Sequence, residues 1–210
     1  MHRTMRPRLL LSTSALAVAL LAGLATCGGD AGASSGSVAG DAPVIRTLSD
    51  FSFVDQTGAQ RSLKDWNGHP FALAMVFTSC SGPCSSITAA MHRLQQALPS
   101  DSSIRLVSLS VDPATDTPAV LASYAQACGA DTSRWTFLTG EGSHAFIRDS
   151  LKLAVDGRRP DVPEAFEPTH SSRIVAVDKQ GRVRGYFEAL DDVGWRDLRE
   201  RMLQLEREQP

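Results

Sequence analysis

Hydrophobic positions change period several times along the chain, and each change marks an element. Phe51-Ser52-Phe53-Val54 alternates, Gln56-Thr57-Gly58 supplies turn chemistry, and Gln60 to Leu63 can return as a second strand, which predicts an N-terminal hairpin. Phe71 to Phe77 (FALAMVF) is an unbroken apolar run of strand length, the pattern of a strand buried on both faces. After Cys84 the apolar positions Ile87, Met91, Leu94 and Leu98 recur at helical spacing until Pro99, so an amphipathic helix follows. Ile104 to Val111 (IRLVSLSV) reads as a second buried strand. Thr117 offers an N-cap with Pro118 at the first helical position, opening a helix through Cys128 that Gly129 closes. Trp135 to Leu138 is a short strand and His144 to Leu151 a short helix. Arg173 to Asp178 and Arg182 to Phe187 flank the turn Lys179-Gln180-Gly181, and Trp195, Leu198, Met202 and Leu205 form the stripe of a terminal helix.

Strands alternating with helices require right-handed crossovers and a sheet covered on both faces, and the late hairpin makes that sheet mixed. A βαβ unit followed by a ββα unit is the thioredoxin architecture. The expected fold is therefore α/β and thioredoxin-like: a mixed central sheet flanked by helices, with an N-terminal β-hairpin.

The start of the chain follows other rules. Arg3, Arg6 and Arg8 precede an apolar run from Leu9 to Ala25 that stops at Leu24-Ala25-Thr26-Cys27. A basic stretch, a short apolar stretch and small residues before a cleavage point form an export signal. The Cys directly after Leu-Ala-Thr resembles a bacterial lipoprotein signal, in which that cysteine becomes the lipidated first residue of the mature protein. Residues 28–42 (GGDAGASSGSVAGDA) have no apolar period and read as a flexible tether, spanning roughly 20 Å root-mean-square. The expected organisation is a signal over 1–26, a tether over 27–42 lipidated at Cys27, and one domain over 43–210, exported and membrane-anchored with the domain facing the periplasm or cell exterior.

Composition narrows the classes. The 210 residues carry 21 Lys+Arg against 23 Asp+Glu, and loss of the three signal arginines makes the mature chain more acidic. Such a balance argues against a nucleic-acid groove, which needs a concentrated basic face. Four cysteines in a chain of this length do not make a disulfide-dense scaffold.

Candidate chemistry concentrates at Thr78-Ser79-Cys80-Ser81-Gly82-Pro83-Cys84. Two cysteines leave the carboxyl end of a buried strand and enter the first turn of a helix, the edge where open α/β sheets place ligands. A helix N-terminus favours thiolate over thiol, so the pair can form a disulfide or hold a metal on two soft sulfurs. A third group decides between these. His69 precedes the strand that ends in Cys80 and belongs at the far edge; His92 lies eight residues along the helix and reads as a surface histidine; His144 opens a short helix as a cap or solvent contact. His170 enters the strand Arg173 to Asp178 after a Pro-rich loop, and the thioredoxin topology brings that loop against the cysteine helix. Asp112 and Pro113 end the second buried strand and read as turn residues. Cys128 ends a helix face with Val120, Leu121 and Tyr124 and reads as an inert thiol, while Trp66, Trp135 and Trp195 read as packing residues and Arg158 and Arg159 as solvated loop charges.

Taken in order, Phe77 to Cys84, then Val107-Ser108-Leu109-Ser110-Val111-Asp112-Pro113 with Asp116-Thr117-Pro118, and Thr169-His170-Ser171-Ser172 entering a strand resemble the Sco/SenC family of copper-binding thioredoxin-fold proteins. The resemblance runs from about Leu48 to Phe187. It implies copper ligation by Cys80, Cys84 and His170, and a role in maturing the CuA centre of cytochrome c oxidase, by delivering copper or reducing its cysteines. The implied partners are the copper-site subunit of that oxidase or another copper chaperone, with the membrane engaged through the lipid. The family usually has Pro immediately after the second Cys; here Pro83 precedes it and Ser85 follows. Two thiolates and one imidazole suit Cu(I) and can also hold Cu(II), whereas a structural Zn(II) site calls for a fourth ligand. The competing classes are a thiol–disulfide oxidoreductase using Cys80 and Cys84 as a redox pair, and a copper or redox sensor. Reductases of this fold carry Cys-x2-Cys and a proline directly before the strand, both absent here, and the peroxiredoxin pattern fails at Leu73 and Phe77.

Overall fold

The computed structural model describes residues 42–79, 84–156, 169–188 and 190–209, with the backbone alone for Cys84, Ser85 and Thr169. The signal, residues 27–41 of the tether and Cys80 lie outside the described residues, and so does the Pro-rich loop before His170; Ala42, expected at the end of the tether, is buried and belongs to the domain.

The strands, in chain order, are β1 (Arg46–Thr47), β2 (Ser52–Asp55), β3 (Gln60–Ser62), β4 (Phe71–Val76), β5 (Arg105–Ser110), β6 (Trp135–Thr139), β7 (Val155–Asp156), β8 (Thr169–His170), β9 (Ile174–Val177) and β10 (Arg182–Phe187). The helices are α1 (Cys84–Ala97), α2 (Pro118–Ala127), α3 (Ser143–Ala145), which runs into a π-helical turn over Phe146–Ser150, and α4 (Asp192–Arg207). Eight strands form one mixed sheet in the order β1-β10-β9-β4-β5-β6-β2-β3. β4, β5 and β6 are parallel, β9 runs antiparallel to β4, and β10 antiparallel to β9. The carboxyl ends of β4, β5, β6 and β10 therefore share one edge with the start of β9. The expected thioredoxin-like mixed sheet is present, and the N-terminal hairpin β2–β3 extends it by pairing β2 with β6.

Alternation along β4 explains the layers. Phe71, Leu73, Met75 and Phe77 enter one core with Phe51, Phe53, Trp66, Phe146 and Ile147. Ala72 and Ala74 face the other side, where their small side chains let Met91 and Leu94 of α1 and Leu198 and Met202 of α4 pack close to the sheet. The predicted apolar stripes are buried as expected, and so are Trp66, Trp135 and Trp195. Thr117 caps α2 by accepting a hydrogen bond from the Val120 N–H, and Gly129 sits at φ +69°, the left-handed geometry a helix-terminating glycine supplies. Val120 departs from its expected place on the buried face: it is exposed, and Leu121 and Ala125 bury that side of α2 instead. Among the described residues no helix is long and apolar enough to cross a membrane.

Candidate functional site

The chain leaves β4 through Phe77 and Thr78, and six positions after Thr78 Cys84 opens α1. This is the strand-to-helix edge expected for the cysteine pair. The backbone N–H groups of the first turn of α1 are unpaired within the helix, and their partial positive charge favours a thiolate there.

His170 reaches the same edge from the other side of the chain. β8 pairs antiparallel with β7, setting His170 opposite Val155, and the Ser171 N–H donates to the Ala154 carbonyl at 3.0 Å. This short ribbon holds both ends of the Pro-rich loop together. The imidazole is half-buried and stands edge-on to the Phe77 ring, with centroids 5.8 Å apart and planes at 87°. Phe77 is three residues before Cys80, so the ring contact sets the imidazole beside the exit of the cysteine-bearing strand. Nδ1 lies 2.9 Å from the Ser171 carbonyl oxygen. Donation to that carbonyl puts the ring proton on Nδ1 and the lone pair on Nε2, the tautomer in which Nε2 can ligate a metal. Burial pushes the imidazole below its ordinary value, only partly offset by the Ser171 carbonyl, so the ring is neutral at pH 7. A neutral imidazole with its lone pair on Nε2 is the form of the ring that can ligate a soft metal ion.

A cleft of about 650 Å³ borders His170 and includes Arg148, Lys152, Ser171, Arg173 and Glu188 in its wall. Glu188 accepts from Arg173 Nε at 2.7 Å and from Ser172 Oγ at 2.9 Å. Those two donors, Arg173 first, hold its carboxyl below the usual range.

The other histidines separate as follows. His69 is at the opposite edge, with Nδ1 3.1 Å from the Ser103 carbonyl. His144 is half-buried and not a cap: its Nε2 lies 2.6 Å from the carbonyl oxygen of Val111, tying α3 to the end of β5. His92 is half-buried at the surface, where it lines an open cleft of about 360 Å³ between α1 and α2 with Thr88, Tyr124 and Cys128. Cys128 is half-buried, and burial raises its thiol above the ordinary value, which makes it a poor nucleophile.

Sequence reasoning read Asp112 as a turn residue and assigned nothing to Asp116 beyond the motif. Asp112 is buried and its N–H donates to Ser110 Oγ at 3.0 Å, so it does shape the turn out of β5. Asp116 is fully buried and joins the ends of β4 and β5 through Thr78 and Ser110. The available signal was an acidic residue directly before an N-cap Thr, where it has no capping work of its own.

A SCO1/SenC family model matches residues 41–196. The structure resembles that of a SCO1/SenC family lipoprotein from Bacillus anthracis str. Ames, with 30% identity, 78% of this chain and 96% of the other covered, and a TM-score of 0.70. It also resembles BsSco, a member of the Sco family of cytochrome c oxidase assembly proteins in which a disulfide switch has been identified (24% identity, 80% and 97% coverage, TM-score 0.68). Bradyrhizobium japonicum ScoI with copper bound shares the fold at 21% identity, 77% and 98% coverage and a TM-score of 0.56.

Proposed function

We propose, on the premise that this chain belongs to the SCO1/SenC family, that it is an exported, lipid-anchored copper carrier that matures the CuA centre of cytochrome c oxidase. Copper is its cargo, held on Cys80, Cys84 and His170 as Cu(I) and also accepted as Cu(II), and given up to the copper-site subunit of the oxidase or received from another copper chaperone. The export signal over 1–26, lipidated Cys27 and the tether over 27–42 keep the domain close to the membrane that contains the oxidase.

The observation that carries this reading is the imidazole of His170: neutral, half-buried, with its proton directed to the Ser171 carbonyl and its ring against Phe77 at the strand exit that leads to Cys80. A thiol–disulfide reductase needs no such group. The copper bound to the Bradyrhizobium relative and the oxidase-assembly role of the family that includes BsSco support the cargo and the destination. The lipoprotein character of the Bacillus anthracis relative supports the anchor.

The test is anaerobic Cu(I) titration of the reduced domain against a competing chelator, with His170→Ala in parallel. One ion per chain is expected. The substitution should weaken it by more than about 10-fold, the lower bound for removing even an outer group of a metal site. Binding indifferent to His170 would leave thiol–disulfide exchange by Cys80 and Cys84 as the activity.

A further inference from the structure

The sheet stops supporting the cysteine-bearing segment before that segment begins. The β4–β5 ladder ends at Val76 opposite Ser110, with one further bond from the Val111 N–H to the Val76 carbonyl at 2.9 Å. Thr78 lies past that ladder and needs another tie. It is supplied by Asp116, a carboxylate with 0% exposure. The Thr78 N–H points at both carboxylate oxygens, 3.2 and 3.3 Å away, and the Thr78 hydroxyl donates to Oδ1 at 2.6 Å. Oδ2 accepts from the Ser110 hydroxyl at 2.5 Å.

Asp116 is itself fixed. Its N–H donates to the Asp112 carbonyl at 2.8 Å, and the next residue, Thr117, is the N-cap of α2. Burying a carboxylate costs several kcal/mol unless donors satisfy it. A group buried at such cost and spent on the residue two before Cys80 does more than fill space.

We propose that Asp116 is a positioning residue for the thiol pair: by gripping the amide and hydroxyl of Thr78 it sets where the chain departs toward Cys80. This rests on the reading that Cys80 and Cys84 are the working thiols. Two residues of chain reach at most about 7 Å, so a displaced Thr78 moves Cys80 directly. The two ends of the carboxylate differ in consequence: Oδ1 takes the Thr78 hydroxyl and shares the Thr78 N–H with Oδ2, whereas Oδ2 alone takes the Ser110 hydroxyl of the sheet. Asparagine can reproduce both contacts, its oxygen accepting from Thr78 and its amide donating to a Ser110 hydroxyl turned to accept.

The experiment compares wild type with Asp116→Ala, Asp116→Asn, Thr78→Val and Ser110→Ala in three measurements: urea stability, the pH profile of iodoacetamide alkylation of the reduced metal-free thiols, and Cu(I) affinity against a chelator. Asp116→Ala and Thr78→Val are expected to shift the alkylation profile and to weaken Cu(I) by about 10-fold or more, as loss of an outer group at a metal site does. Asp116→Asn should restore both, and Ser110→Ala should lower urea stability while leaving affinity within about 2-fold, well short of that loss. Losses confined to urea stability, with alkylation and copper unchanged, would overturn the proposal. Should Asp116→Ala fail to fold, Thr78→Val decides the matter, because it removes one hydroxyl at a half-buried position. If wild type shows no Cys-dependent copper binding, the carrier reading fails alone, and the alkylation profile still decides whether Asp116 positions the thiols.

Discussion

Burial alone would push the Asp178 carboxyl up, yet it is held below the usual carboxylate range by the Arg182 N–H, the Arg184 and Arg182 guanidinium groups and the Gln180 N–H. Both Asp178 and Arg184 are almost fully buried, and Arg184 also meets Glu208 at 2.7 Å. Removing one partner of a buried pair leaves the other charge uncompensated and costs about 3–5 kcal/mol. Glu208 still shares Arg184, so Asp178→Asn is expected near the lower end, about 3 kcal/mol in urea unfolding. Glu206 behaves alike, its burial outweighed by the Ser102 hydroxyl and the Ser103 N–H and hydroxyl. The sign follows from linkage. Carboxylates with native values below their unfolded ones stabilise fully above the unfolded values, about 3.9 for Asp and 4.3 for Glu, and lose that contribution as pH falls through the native ones. Urea midpoints should therefore fall steeply below about pH 4.5, and less steeply in Asp178→Asn. Equal slopes in the two proteins would refute the assignment to Asp178.

Elements with a strong local period were readable from sequence, and those made by a distant partner were not. The run Phe71 to Val76 and the stripe Ile87, Met91, Leu94 and Leu98 declare strand and helix because each buries itself in one repeating pattern. β1, β7 and β8 have two residues each, too few to show a period, and exist only through pairing with β10 or with each other. The same division holds at the site. Cys80, Cys84 and His170 stand out by residue type and order, whereas the Asp116–Thr78 link spans 38 positions and has no local pattern. Gly194 in α4 is a similar case. Alanine there gains about 1 kcal/mol of helix propensity, but its Cβ would collide with the backbone carbonyl of Glu188. A backbone atom cannot rotate away, and overpacking costs about 1–3 kcal/mol. Gly194→Ala should therefore lower stability by about 1 kcal/mol or more despite the better helix former, while a higher thermal midpoint would show that the start of α4 yields.

At the scale of the whole molecule, the start of the described domain is fastened to its end. The Ala42 carbonyl accepts from Arg184 Nε at 2.8 Å and Nη2 at 2.5 Å, the same guanidinium binds Glu208, and Lys179 Nζ donates to the Glu208 carbonyl. Ala42 is thus fixed against β10, next to the edge strand β1. If Cys27 carries the lipid, about 15 residues with a span of roughly 20 Å confine the copper site near the membrane, and the gain is in effective concentration rather than in any contact. Cys27→Ala is then expected to release the protein from the membrane fraction, to leave Cu(I) affinity of the purified domain unchanged, and to lower oxidase maturation in cells. High expression of the released form should restore that maturation, because added protein substitutes for tethering. Persistence in washed membranes would mean that the apolar run Leu9 to Ala25 itself anchors the chain; full maturation at ordinary expression would mean that tethering contributes nothing to transfer.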